Sequence, residues 1–322
     1  MIRFQDVSYT YLSQGSEEVQ SPSLDHISFH IPKGQCVVLC GKSGCGKTTL
    51  LRIINGLACH FYQGRLEGDI SVSGMVPASA SLPELARVVG SVFQNPRTQF
   101  FHTDTTGELA FQLENQNMPR EQMRRRLDQV VTELGLESLM ERSIFALSGG
   151  EKQQIACGSV YASMPQVVVL DEPSSNLDLE SIRKLRGLLE TMKASGVTIL
   201  VSEHRLWYLH GLADRYLLLE SGKLRGDLTP EQMTALDPQT RQALGLRAVD
   251  RWQLFSLCPQ ARPKEWMEPG LELRSLFCLR GRREVLHISH LQIPKGAIVA
   301  VVGRNGAGKS TLLLTLSGLL RF

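Results

Sequence analysis

One segment is written twice in this chain. IPKGQCVVLCGKSGCGKTTLL begins at Ile31 and IPKGAIVAVVGRNGAGKSTLL begins at Ile293. They align without a gap, so Gly41 answers to Gly303 and Lys47 to Lys309. A long internal repeat means two copies of one structural module. In the first copy the apolar run QCVVLC has the length and composition of a strand buried in a parallel sheet. LLRIINGL, after the glycines, has apolar residues at helical spacing. The second copy, ending in AVVGRNGAGKSTLLLTLSGLLRF, reads as the same strand, loop and helix.

A Gly-x-x-x-x-Gly-Lys-Thr loop between a strand and a helix is a phosphate-binding loop. The glycines let backbone N–H groups turn inward around phosphate oxygens, and the helix N-terminus adds its positive dipole end. The spacing assigns Gly41, Lys42, Ser43, Gly44, Cys45, Gly46, Lys47, Thr48 and Thr49 to ATP, with Lys47 reaching the β- and γ-phosphates and Thr48 holding Mg²⁺. The second loop, Gly303, Arg304, Asn305, Gly306, Ala307, Gly308, Lys309, Ser310 and Thr311, is assigned in the same way. Downstream, PQVVVLDEPSS reads as another buried strand that ends in two acids. Asp171 suits the Mg²⁺ shell, and Glu172 is placed to activate water as a general base. Alone, such a pair could be solvated loop acids; the phosphate loop upstream gives it a role.

LSGGEKQQIACGSVYASMP starts a helix with Ser148, Gly149, Gly150 and Glu151, a second anion site. One ATP needs one such site, so the second implies a partner. With these residues the first module resembles the ATP-binding-cassette ATPases. The resemblance implies a P-loop α/β core with an antiparallel β flank and a helical subdomain at about 95–164. It also implies that each ATP lies between the phosphate loop of one cassette and the Leu-Ser-Gly-Gly segment of another. Gln94 in SVFQNP resembles the glutamine that senses Mg²⁺ and the water; SNLD, Ser175 to Asp178, resembles the D-loop; His204 in LVSEHR resembles the switch histidine; Tyr11 resembles the aromatic that stacks on adenine. Glu151 departs from the family's usual glutamine, and a contact with Lys152 or a weakened nucleotide contact is expected to tune activity. Cys45 inside the loop predicts that a thiol reagent blocks ATP binding.

FQNPRTQFFHTDTTGELAFQLEN and the Ser-Glu-His-Arg switch resemble the tandem cassettes of energy-coupling-factor transporters, which import vitamins and trace metals. That implies a groove over Gln94 to Phe111 for a transmembrane coupling protein, with Phe100, Phe101, Asp104 and Glu108 as candidates. It also implies a separate substrate-binding membrane subunit and a place at the cytoplasmic face of the membrane. The net charge of +3 gives no support to nucleic-acid binding. No apolar run approaches a membrane span, the N-terminus has no apolar signal-peptide core, and the seven cysteines read as reduced thiols, with Cys36 and Cys40 as buried hydrophobes. Alternatives are a soluble ribosome-associated tandem clamp, which a long charged linker would mark, and an inactive fragment.

The organisation is therefore a first ATPase domain at 1–225, a linker at 226–270 and the N-terminal part of a second at 271–322. The second copy lacks a signature, an Asp-Glu strand and a switch histidine, and Phe277 or Cys278 stands near its adenine position. Its strand has no neighbours within the sequence, so its backbone groups are expected to stay unpaired. The expectation is that this half forms no working cassette and that the native protein continues past Phe322 or draws a second cassette from another copy or chain.

Overall fold

The structure is a computed structural model that describes residues 1–12, 21–250, 269–280, 283–303 and 305–320. The chain divides into two compact units, Met1–Leu177 with Ser181–Leu254, and Asp178–Glu180 with Phe255–Phe322.

The first unit runs β1 (Ile2–Tyr11), β2 (Leu24–Ile31), β3 (Cys36–Cys40), α1 (Lys47–Ile54), α2 (Leu57–His60), β4 (Gly64–Val72), α3 (Leu82–Val88) and β5 (Val89–Val92). Three helices follow, α4 (Thr105–Asn115), α5 (Arg120–Leu134) and α6 (Gly149–Ala162), within the segment expected to be helical. Then come β6 (Val167–Asp171), α7 (Leu179–Ala194), β7 (Thr198–Ser202), β8 (Arg215–Glu220), β9 (Lys223–Leu228), α8 (Pro230–Ala235) and α9 (Pro238–Ala243).

The main sheet has the order β5-β6-β7-β3-β8-β9, parallel except for β9 against β8. A smaller antiparallel sheet has the order β2-β1-β4. All five residues of β3 are buried, which is why its sequence is an unbroken apolar run. Side chains of a strand alternate between faces. Val37 and Leu39 accordingly join a core with Ile2, Phe4 and Ile53, while Cys36, Val38 and Cys40 join one with Ile155, Leu185 and Leu189. The parallel α/β core, antiparallel flank and helical part match the expected fold.

The expected boundary at residue 225 is displaced. Residues 226–228 belong to β9, and α8 and α9 follow. Met233 and Val249 are buried in the core to which α6 and α7 also contribute, with Leu228, Leu236, Leu244 and Leu246 packed against it. Apolar side chains that looked like pieces of a linker thus close the first unit. The remainder of that segment, 251–268, lies outside the described residues.

The second unit holds an antiparallel hairpin, β10 (Pro269–Arg280) and β11 (Arg283–Pro294), and one helix, α10 (Lys309–Leu316). The strand expected before its phosphate loop is absent: residues 297–303 carry no strand pairing, and Ile298 is fully exposed. An apolar run without parallel neighbours has no partners for its N–H and C=O groups.

Candidate functional site

The ends of β3, β6 and β7, adjacent in the main sheet, carry the chemistry. β3 delivers the loop Gly41 to Gly46. Gly46 caps α1 with φ 105°, and a Cβ there would lie 2.6 Å from the Ser23 carbonyl oxygen, so both conformation and space demand glycine. Lys47 is buried, and its Nζ donates to the carbonyls of Gly41 and Lys42, each at 3.0 Å. The ammonium therefore sits inside the turn of its own loop. Lys42, Ser43 and Gly44 are exposed along the loop. Thr48 Oγ1 donates to Asp171 Oδ1 at 3.2 Å, which sets a hydroxyl beside a carboxylate, hard oxygen donors of the kind that could hold Mg²⁺. Among the described residues there is no cluster of three or more His, Cys, Asp or Glu side chains able to hold a metal. A Mg²⁺ bound through one carboxylate, one hydroxyl and phosphate oxygens needs none.

Glu172 follows directly. Its backbone is left-handed, φ 43°, and is held there by its N–H donating to the Ser202 carbonyl at 2.9 Å. A glutamate in that conformation carries roughly 1–3 kcal/mol of strain, and such strain clusters at functional sites. Gln94 Nε2 donates to Glu172 Oε2 at 3.1 Å. On the other oxygen, His204 Nε2 lies 3.2 Å from Oε1, within ion-pair range but without hydrogen-bond alignment. Three residues separated by more than thirty positions each thus meet at one carboxylate, beside Thr48 and Asp171.

Tyr11 lies next to this loop. Its hydroxyl donates to Thr49 Oγ1 at 3.3 Å and accepts from Arg52 at 3.2 Å. Tyr9, two residues earlier, is core: it is fully buried and its hydroxyl donates to the Ala58 carbonyl at 2.9 Å. The sequence offered no sign of Tyr62, whose ring stands edge-on to Tyr11 with the Arg52 guanidinium 4.4 Å above it. Thr48, Arg52, Tyr62, Gln94 and Asp171 line one cleft of about 430 Å³.

Ser148, Gly149, Gly150 and Glu151 form the start of α6. Gly149 opens on a cleft of about 480 Å³ lined also by Pro173 and Ser175; it adjoins the first cleft at Gln94 and Asn95 and has no phosphate-loop residue in its wall. Gly150 must be glycine because a Cβ would lie 2.1 Å from Ser181 Oγ. The departure at Glu151 has a local explanation. Ser148 Oγ accepts from the Glu151 N–H at 3.3 Å, and Glu151 Oε2 accepts from the Ser148 N–H at 2.7 Å, a complete capping box. Glu151 Oε1 accepts from Arg142 at 2.8 Å, so the partner is Arg142 and not the expected Lys152. Burial pushes the Glu151 carboxyl up, but the bonds from Ser148 and Arg142 outweigh it and leave the group below its ordinary value.

Other expectations are also revised. Cys45 is buried, so ready alkylation of the loop thiol does not follow. Of the groove candidates, Glu108 is buried and accepts from the Phe101 and His102 N–H groups, both at 2.9 Å, while Asp104 caps α4 through the Gly107 N–H. Both acids hold backbone: Glu108 from a buried position that lines the cleft beside Phe101, Asp104 from an exposed one. Phe100 packs on the core, and Phe101 is exposed and stacked on Phe111. These two rings border a cleft of about 290 Å³ with Phe93, Gln99 and Gln112.

In the second unit, Gly308 caps α10 with φ 84° and Lys309 Nζ donates to the Gly303 carbonyl at 2.7 Å, the arrangement of the first loop. Cys278 is buried and Phe277 is half-exposed against His287. Arg304 lies outside the described residues.

Comparisons with known proteins agree with this geometry. A family model described as ABC transporter matches residues 24–175 and 286–322, more than half of the chain. A protein of Treponema denticola described as an ABC transporter ATP-binding protein is 44% identical over 99% of this chain, and one of Streptomyces coelicolor is 34% identical over 99%. The chain spans 65% of the length of each of these relatives. Among solved structures, cbiO1 from Clostridium perfringens, part of the ABC transporter complex cbiONQ, is 25% identical with a TM-score of 0.62, over 80% of this chain and 97% of that one. A dimeric ATP-binding cassette in a post-hydrolysis state with ADP and Pi shares the fold, with a TM-score of 0.61 at 24% identity over 71% of this chain. With the phosphate loop, the paired acids and the signature helix in place, the chain belongs to the ABC transporter family.

Proposed function

We propose that this chain binds and hydrolyses ATP and that hydrolysis powers import of a small solute, a vitamin or trace metal, through a transporter of the energy-coupling-factor type. The observation that carries the hydrolytic reading is the Glu172 carboxylate, gripped by Gln94 on one oxygen and faced by His204 on the other, beside the Thr48–Asp171 pair. Thr48 and Asp171 would hold Mg²⁺, which neutralises charge on the phosphate oxygens. Lys47 neutralises the phosphates from within the loop. Glu172 takes a proton from the attacking water, Gln94 orients that carboxylate, and His204 contributes a donor on the phosphate side. Tyr11 offers its ring to adenine. Asp178, at the D-loop, and Ser148–Glu151 serve the ATP of an opposing cassette; that no phosphate-loop residue lines the cleft at Gly149 supports this for the signature.

Coupling to a membrane partner is supported by the exposed Phe101–Phe111 pair beside an apolar cleft and by the likeness to a protein described as part of an ABC transporter complex. The same features favour a transporter over a soluble clamp. No helix among the described residues is long and apolar enough to cross a membrane. The proposed partners are a transmembrane coupling protein and a substrate-binding membrane subunit, with this chain peripheral at the cytoplasmic face. An opposing cassette supplies the other half of each ATP site.

The test is Glu172→Gln. ATP binding is expected to persist while turnover falls by about 10²–10⁴-fold, the range for loss of a general base. Turnover near that of the unaltered chain would refute the assignment.

A further inference from the structure

Glu203, one residue before the switch histidine, is 2% exposed and has no salt bridge among the described residues. Its carboxylate is nevertheless fully engaged. Oε1 accepts from the N–H groups of His204 at 2.7 Å and Arg205 at 3.0 Å, and Oε2 accepts from the Tyr208 hydroxyl at 2.9 Å, itself buried. A buried carboxylate is tolerated when such donors surround it. The two main-chain bonds close a tight turn around the backbone of His204, and Tyr208 fixes the far oxygen. Meanwhile the Arg205 guanidinium donates to the carbonyls of Leu177 at 3.1 Å and Ser175 at 3.4 Å. The Ser175 N–H in turn donates to the Glu172 carbonyl at 3.1 Å. These contacts form a closed circuit: Glu172, Ser175, Leu177, Arg205, Glu203, His204 and back to Glu172.

We infer that Glu203 is a positioning residue that holds the His204 imidazole against Glu172, and that Arg205 ties this turn to the Ser175–Leu177 segment so that both move as one. The inference rests on the ATPase reading above and deepens it. A side chain that fixes the backbone of a reacting group acts on rate more than on binding, because a displacement of about 1 Å can remove 10²-fold in rate. Replacement by alanine leaves two partly buried main-chain donors and the buried Tyr208 hydroxyl without an acceptor. Glutamine keeps an acceptor for both N–H groups and can donate to the Tyr208 oxygen instead.

The experiment compares Glu203→Ala, Glu203→Gln and Tyr208→Phe, each alone and with His204→Ala, in steady-state ATPase assays on the whole chain, with far-UV circular dichroism as a check on folding. Glu203→Ala is expected to lower kcat about 10–100-fold with KM for ATP changed less than about threefold, and Glu203→Gln to restore kcat to within about threefold. In the His204→Ala background, Glu203→Ala is expected to add no further loss, since residues acting as a unit are non-additive. Should Glu203→Ala not fold, Tyr208→Phe carries the test, with a loss of about 3–10-fold in kcat that disappears in the His204→Ala background. Equal losses in both backgrounds, or unchanged kcat in Glu203→Ala, would overturn the inference. An inactive Glu172→Gln together with a fully active Glu203→Ala would overturn it alone; normal turnover in Glu172→Gln would overturn both it and the ATPase reading.

Discussion

Glu151 offers the sharpest quantitative test of how the signature helix is built. The family pattern has glutamine here, and the structure gives the glutamate three jobs: it completes the capping box with Ser148, it accepts from Arg142, and it puts a negative charge in the first turn of α6. Alanine at 151 leaves the Ser148 cap in place and removes only the reciprocal bond from the Ser148 N–H to the carboxylate, worth about 0.5–1.5 kcal/mol. The Arg142 pair is partly open to solvent, with side chains 38% and 26% exposed, so it is worth no more than about 0.5 kcal/mol. The helix-end charge adds roughly 0.3–1 kcal/mol, reduced by the same screening. Glu151→Ala should therefore destabilise the first unit by about 1–2 kcal/mol, a drop in Tm of about 3–6 °C for a domain of this size. Glu151→Gln retains an acceptor for the Ser148 N–H and should lose about half as much. The pH dependence follows from the sign of the shift. The folded carboxyl lies below its ordinary value of 4.5, so its contribution is complete above that value and is lost as pH falls through the folded pKa. Melting curves followed by circular dichroism at about pH 7 and about pH 4 should show the gap between the unaltered chain and Glu151→Gln shrinking at the lower pH. A Glu151→Ala chain that melts within about 1 °C of the unaltered one, or a gap that stays constant with pH, would refute the reasoning.

Two further outcomes are open to direct measurement. Burial pushes the thiols of Cys36, Cys40 and Cys157 up to about 12, and Cys45 is also buried, so among the described cysteines iodoacetamide on the native chain should modify half-buried Cys59 first; peptide mapping that finds Cys45 labelled before Cys59 would contradict the burial of the loop thiol. Because no phosphate-loop residue lines the cleft at Gly149, the Glu172→Gln chain should form a dimer in Mg-ATP, read by light scattering, and a chain that binds ATP yet stays monomeric would mean that first units do not complete each other's sites.

What the sequence discloses and what it hides can be separated by comparing its two copies of one motif. The loop conformation is local: Gly46 and Gly308 both adopt the left-handed cap, and Lys47 and Lys309 both fold back on the carbonyl of the first glycine. The same holds for the apolar runs and the acid pair at the end of β6, whose signals lie within a few residues. Residues whose roles depend on distant partners were not legible. Glu151 finds Arg142 rather than its neighbour Lys152, and Glu203 acquires its role from burial and from Tyr208. Met233, Leu236 and Leu244 looked like pieces of a linker because nothing nearby names the core they cover. The strand before the loop is the clearest case. Cys36–Cys40 and residues 298–302 occupy equivalent places in the repeat, yet only the first is a strand. β3 is paired on one side by β7 and on the other by β8, which come from residues 198–202 and 215–220. Among the described residues of the second unit no equivalent strands exist, and Val299, Val301 and Val302 remain exposed. An apolar run thus specifies that a strand would be buried, but neighbours far along the chain supply the hydrogen bonds that make it one.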